Sequence, residues 1–385
     1  MISRLLSSLI ALALGLSIAG CGKKPDAASG NEVVVKIGSV APLTGPQSHL
    51  GKDNENGARL AVDEVNAKGL MIGGKKLRIE LLSEDDAADP KTATSVAQKL
   101  VDAKVAGVIG HLNSGTSIPA SRIYNDAGIP QISPSATAVK YTAQGYKTTF
   151  RVMTNDEQQG HVLGTYAARL GKKVAIIDDR SAYGQGLADE VEKAAKGGGA
   201  EVVTREYTTD KSNDFLAILT SIKAKDPDVV FFGGMDPQAA PMVKQMKQLG
   251  LRAQYLGGDG VQTAEFLQLA GTEGEGVIAS NPGVPLASMP GGQDFERKFT
   301  AKYGKIQNYS PYAYDAVMAL VDAMQRANST DPARFQLELS KTNFHGVTGH
   351  VQFDAKGDLA GGNVTLYKVG GGKWAPLETV KSSGQ

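Results

Sequence analysis

Two clusters of small hydroxyl residues carry the clearest chemical signal in this chain. Asn113, Ser114, Gly115, Thr116 and Ser117 follow an apolar run at 105–110, and Ser133, Ser135, Ala136 and Thr137 follow another at 129–132. If both runs are strands of an open α/β sheet, the loops leave their carboxyl ends, where ligands collect in such sheets. Hydroxyls and free backbone N–H groups from two neighbouring loops can then converge on one small anion, a carboxylate for example. Ser and Thr at strand ends also cap the helices that follow, so local pattern alone leaves both roles open.

Other constellations point to little chemistry. Gly184-Gln185-Gly186 starts a dinucleotide-like glycine pattern, but Asp189 stands at the third glycine position. No phosphate-binding GxxxxGK[ST] occurs, and no GxSxG elbow sits in a strand–turn–helix context. His345 and His350 lack the Cys or carboxylate companions of a metal site. The acidic runs Glu84-Asp85-Asp86 and Asp178-Asp179 read as solvated turns or helix caps. These features predict no cofactor, no metal and no enzyme.

The elements that must position the hydroxyl loops alternate regularly. Strands are expected at 33–40, 77–83, 105–110 and 129–132, then at 174–178, 201–207, 229–233, 254–257 and 277–280. Amphipathic helices are expected at 56–68, 91–103, from about Ile118, 159–169 and 186–196, with Ala61, Val62, Val65 and Val96, Leu100 at helical spacing. Helices at 293–304, 312–327 and 332–341 follow, then a hairpin-like stretch at 349–357 and a last strand at 365–369. Such alternation predicts an α/β fold of two Rossmann-like halves with parallel sheets, the changeover falling near 150–156. A chain of 385 residues suffices for two such cores, and a formal net charge of +1 without a basic patch argues against nucleic acid.

The amino terminus reads as a processing signal. Arg4, an apolar core at 5–17 and Ile18-Ala19-Gly20-Cys21 resemble a bacterial lipoprotein signal, residues 1–21, with Cys21 as the lipidated residue. The apolar run is short for a membrane span. Polar residues 22–31 then form a flexible tether. Cys21 is the only cysteine, so no internal disulfide can form.

Several segments, in order, carry a resemblance: IGSVAPLTGP, LAVDEVNAKGL, DDAADP, IGHLNSGTSIPAS, ISPSAT, DRSAYGQGLA and PYAYDAV. Together they resemble the leucine/isoleucine/valine-binding family of solute receptors that serve ABC importers, the type I periplasmic binding protein fold. The resemblance implies a multi-strand hinge, with residues 32–154 and 285–357 in one lobe and 155–284 and 358–385 in the other. It implies a monomeric, lipid-anchored periplasmic receptor whose partners are an amino acid and the permease subunits. An early disulfide is frequent in the family; its positions match Ala88 and Asn113 here.

Carried over to these positions, the resemblance puts the ligand carboxylate on Ser114 and Thr137, with main-chain groups of Ser135 and Ala136. Asp259, ending a strand in a Gly-rich turn, takes the ammonium where the family commonly has Glu. Tyr183, Leu50 and Met235 surround the side chain, the last two replacing tyrosines. A Gly-rich turn favours Asp for its own sake, and a core or surface tyrosine is the lesser reading of Tyr183. The implied function is capture of a branched-chain type amino acid by hinge closure. An envelope sensory receptor, or less readily an α/β envelope enzyme, remains the alternative.

Overall fold

The computed structural model of the protein describes residues 31–382; the signal segment with Cys21, and the tether up to residue 30, lie outside the described residues. The first lobe is built on a six-stranded sheet in the order β2-β3-β1-β4-β5-β6. Its strands are β1 (Glu32–Ala41), β2 (Met71–Ile72), β3 (Lys75–Asp85), β4 (Gly107–Gly110), β5 (Gln131–Ser133) and β6 (Thr149–Arg151). Its helices are α1 (Ser48–Lys68), α2 (Pro90–Asp102), α3 (Ser114–Asp126) and α4 (Lys140–Ala143). β4 and β5 are buried along their whole length because helices cover both faces of a parallel sheet.

The second lobe holds α5 (Asp156–Leu170), β7 (Lys173–Asp178), α6 (Ala182–Gly197), β8 (Glu201–Tyr207), α7 (Leu216–Lys223), β9 (Val229–Gly233), α8 (Asp236–Gln248), β10 (Gln254–Gly257), α9 (Ala264–Ala270) and β11 (Ile278–Pro282). The chain then returns to the first lobe with α10 (Gly292–Tyr303), α11 (Ser310–Ala327), α12 (Pro332–Leu339) and a small hairpin, β12 (Asn343–His345) with β13 (His350–Gln352). It crosses once more into β14 (Gly362–Gly370) and β15 (Lys373–Ser382). The second sheet runs β15-β14-β11-β10-β9-β7-β8.

Register brings the functional loops together. Val40 pairs with Gly110, Ile109 with Ile132 and Ser133 with Arg151, so the loops after β4 and β5 leave the same edge side by side. In the second lobe Asp178 pairs with Gly233 and Phe232 with Gly257, which sets Met235 and Asp259 on the corresponding edge. The first and third crossings meet beside Arg151, which is fully buried. Its Nε donates to Asp358 Oδ1 at 2.5 Å, while Asn155 from the first crossing donates to Asp358 Oδ2 at 3.3 Å.

Three expectations are corrected. The sheets are parallel in their centres only: β2 and the β14–β15 pair are antiparallel. The chain closes with a two-stranded hairpin, not a single strand at 365–369. Pro376 disguised β15, but β15 lies at the sheet edge and the register slips between Leu366 and Tyr367, opposite that proline. Finally, α3 begins at Ser114 rather than near Ile118, and α1 begins at Ser48 rather than Asn56.

Candidate functional site

The hydroxyl loops end up inside the molecule, against the second lobe. Ser114, at the start of α3, is buried, and its Oγ accepts from the Ala138 N–H at 3.1 Å, leaving its own proton free to donate. Ser135 Oγ donates to Leu112 O at 3.0 Å and accepts from Asn54 Nδ2 at 3.2 Å. Ala136 has its N–H on Ser133 Oγ at 2.8 Å and its carbonyl accepting from Arg151 Nη1 at 2.8 Å. Thr137 is fully buried, and its Oγ1 has no partner among the described residues.

In the second lobe Asp259 is only 2% exposed. Its Oδ1 accepts from Gln159 Nε2 and Tyr183 Oη, each at 2.7 Å, and its Oδ2 from Tyr309 Oη at 2.7 Å. Burial raises its pKa, while the Tyr309 and Tyr183 hydroxyls pull it back down. The glycines on either side make this packing possible. A Cβ on Gly258 would lie 2.4 Å from the Tyr183 hydroxyl, and one on Gly260 would lie 2.5 Å from Met235 Sδ. Tyr183 and Met235 therefore press against the Asp259 turn, as a pocket wall would.

Leu50 is fully buried in the first turn of α1 and belongs to the same apolar cluster as Tyr183, Met235, Leu112 and Tyr309. Its neighbour His49 reaches the residue after Met235: His49 Nε2 lies 2.8 Å from Asp236 Oδ2. The Asp259–Tyr309 and His49–Asp236 contacts thus tie the two lobes together on this side of the molecule.

The sequence reading missed several residues there. Tyr309 and Asn308 precede α11 in the first lobe; Asn308 Nδ2 donates to the Asp259 carbonyl at 3.2 Å. Asp53 fixes this segment by accepting from the backbone N–H groups of Gln307, Asn308, Tyr309 and Ser310 at 2.8–3.0 Å. Gly57 allows that approach, because a Cβ there would lie 2.2 Å from Ser310 O. The SPYAYD segment could have signalled the helix, but nothing local marks Tyr309 as an interlobe bridge.

Asp156, the first residue of α5, was also missed. It is fully buried, and neither carboxylate oxygen has a hydrogen-bond partner among the described residues. Burial first, then the Asp259 charge, pushes its carboxyl up to about 8. The nearby Thr137 hydroxyl acts in the opposite direction without completing a hydrogen bond.

The discarded candidates find structural roles. Asp86 and Asp178 are not solvated. Asp86 Oδ2 lies 2.8 Å from His111 Nδ1 within the first lobe, and Asp178 Oδ2 accepts from Arg205 at 2.8 Å. Asp85 accepts from Leu43 and Ala87 N–H groups, and Asp179 from the Ser181 N–H, as turn residues do. His345 and His350 stack at 5.1 Å, with His350 Nε2 at 2.7 Å from Asn343 Oδ1.

Known proteins share this architecture. Residues 34–373 match the profile of a family described as "Periplasmic binding protein". "Leu/Ile/Val-binding protein homolog 2" of Brucella abortus (strain 2308) is 39% identical over 327 residues, covering 84% of this chain and 87% of that protein. The "Leucine-, isoleucine-, valine-, threonine-, and alanine-binding protein" of Pseudomonas aeruginosa is 34% identical over 342 residues, covering 87% and 89%. Among solved structures, a leucine binding protein LivK from Thermotoga maritima superposes with a TM-score of 0.83 at 29% identity, covering 90% of this chain and 98% of that one. A branched-chain amino acid transporter substrate binding protein LivJ from Streptococcus pneumoniae, in complex with isoleucine, gives 0.81 at 29%, covering 91% and 100%.

Proposed function

Because the chain belongs to the periplasmic binding protein family, we propose that it is the solute receptor of an ABC importer, closing on a branched-chain type amino acid and delivering it to the permease subunits. What supports this reading is a buried Asp259 on one lobe, with a Thr137 hydroxyl that has no partner among the described residues and a Ser114 hydroxyl left to donate on the other. An anionic group opposite hydroxyl donors suits the two ends of a zwitterion. Relatives whose names specify leucine, isoleucine and valine support the choice of ligand.

In this reading the Ser114 and Thr137 hydroxyls hold the carboxylate and Asp259 takes the ammonium; the expected main-chain donors at Ser135 and Ala136 are already given to Ser133 Oγ, at 3.3 and 2.8 Å. Tyr183, Leu50 and Met235 contact the aliphatic side chain. The lobes comprise 32–154 with 285–357 and 155–284 with 358–385, and they turn about the three crossings. Closure expels water, which strengthens each polar contact inside. Micromolar affinity requires only about −8 kcal/mol, within reach of charge-assisted hydrogen bonds plus buried apolar area after ordering costs. No reaction is involved. The receptor works as a monomer in the periplasm, tied to the membrane through Cys21.

A thermal-shift screen of the purified protein against the common amino acids tests the reading. Leucine, isoleucine or valine at a hundredfold excess over Kd should add about 2.7 kcal/mol of stability. A screen in which no amino acid raises the melting point overturns it. For the anchor, Cys21→Ser should move the protein from the membrane to the soluble fraction; retention in the membrane would refute lipidation.

A further inference from the structure

Asp259 has little acceptor capacity to spare. A carboxylate offers about four lone-pair sites, and three donors from the protein already occupy Asp259. An ammonium group brings three N–H donors. Acceptors without a partner among the described residues include Thr137 Oγ1, Gln159 Oε1 and both oxygens of Asp156. All three residues are fully buried. Gln159 stands one turn along α5 from Asp156 and donates to Asp259, so it spans the space between the two carboxylates.

We propose that Asp156 is a second recognition carboxylate, which holds a proton while the cleft contains no cation and gives it up when the ligand's ammonium enters. This rests on the amino-acid reading above. The exchange balances as Asp156–COOH plus R–NH3⁺ giving the ion pair Asp156–COO⁻ with R–NH3⁺, and one proton passing to solvent.

A buried carboxylate with no donor and a like charge nearby cannot remain ionised at low cost. Every charged neighbour bears on this balance. Burial dominates, Asp259 and Glu190 oppose ionisation, and Arg151 favours it together with the Thr137 hydroxyl. The positive end of α5 also favours the charged form, yet none of that helix's N–H groups reaches the carboxylate. An incoming ammonium supplies the missing cation and the missing donors together. Neutral isosteres of the amino acid, which lack the cation, gain nothing from Asp156.

Two measurements with L-leucine test the proposal. Calorimetric titration at pH 7 in buffers of different ionisation enthalpy counts protons released on binding. The wild type should release about one more proton per leucine than Asp156→Asn. Both proteins retain His49, so its contribution cancels. Difference infrared spectroscopy of the wild type needs no variant: leucine should remove one protonated-carboxyl band. Leucine binding with equal proton counts, or with that band unchanged, overturns the role of Asp156 and leaves the amino-acid reading intact. Failure of any amino acid to bind overturns both.

Discussion

His49 and Asp236 lie in opposite lobes, yet His49 Nε2 is 2.8 Å from Asp236 Oδ2. The carboxylate is fully buried and also accepts from Thr263 Oγ1 at 2.6 Å, while its other oxygen has no partner among the described residues. Burial works against a charged His49, but Asp236 and Glu265 more than offset it, and the net shift is upward. Because it joins the two lobes, the contact should be lost when they part. His49→Ala should therefore weaken leucine binding by roughly tenfold, the equivalent of about 1.4 kcal/mol, chiefly through faster release. Stopped-flow measurement of dissociation checks this; an unchanged rate would remove His49 from closure.

Asp259 holds Gln159, Tyr183 and Tyr309 by hydrogen bonds, and in the proposed function it also takes the ligand's ammonium. Asp259→Ala should abolish detectable leucine binding, a loss on the order of 3–5 kcal/mol. The far-UV circular dichroism should stay that of a folded protein, because the sheets do not depend on this residue. Calorimetry decides; retained affinity would exclude Asp259 from the site.

Asp53 anchors the backbone of 307–310, and thereby Tyr309, by accepting four backbone hydrogen bonds. Asp53→Ala leaves those N–H groups without their acceptor, at about 1–3 kcal/mol for each that water cannot reach. The melting point should fall and leucine affinity should drop with it. Asp53→Asn, which keeps an acceptor oxygen, should recover part of both.

Stability without ligand should depend on pH in a direction set by buried acids. Asp156 is raised to about 8, and Asp179 and Asp315 to about 6, each chiefly by burial. An acid whose folded value is raised stabilises fully below its unfolded value of 3.8 and loses that contribution as pH rises through the folded value. The unliganded melting point should fall as pH goes from about 5 to about 8. Asp156→Asn should flatten the upper part of that range, between about 6 and 8. Calorimetric scans across this range test it, and an identical slope in the variant would contradict the shift.

The alternation of strands and helices was readable because a parallel sheet covered on both faces demands nearly continuous apolar strands, as in Val229–Gly233. Ser114, Thr137, Tyr183 and Asp259 were singled out by their places at strand ends and in the resembling segments, and the structure finds all four buried. What escaped notice was polar burial. The start of α1 has few apolar residues to mark a helix, since Asp53 and Asn54 are buried there by hydrogen bonds rather than by hydrophobicity. Asn155 and Gln158 form a capping box that starts α5 at Asp156, three residues before the helix expected at 159, so Asp156 was not recognised as a buried helix residue. Tyr309 and His49 matter only once the lobes meet, a relation between segments far apart in sequence.

A crystal structure of the protein grown with L-leucine tests the central claim most directly. The ammonium should lie within hydrogen-bond reach of Asp259 and the carboxylate against Ser114 and Thr137, with the isobutyl group between Tyr183, Leu50 and Met235. Leucine bound elsewhere, or lying reversed with its carboxylate towards Asp259, would contradict the account.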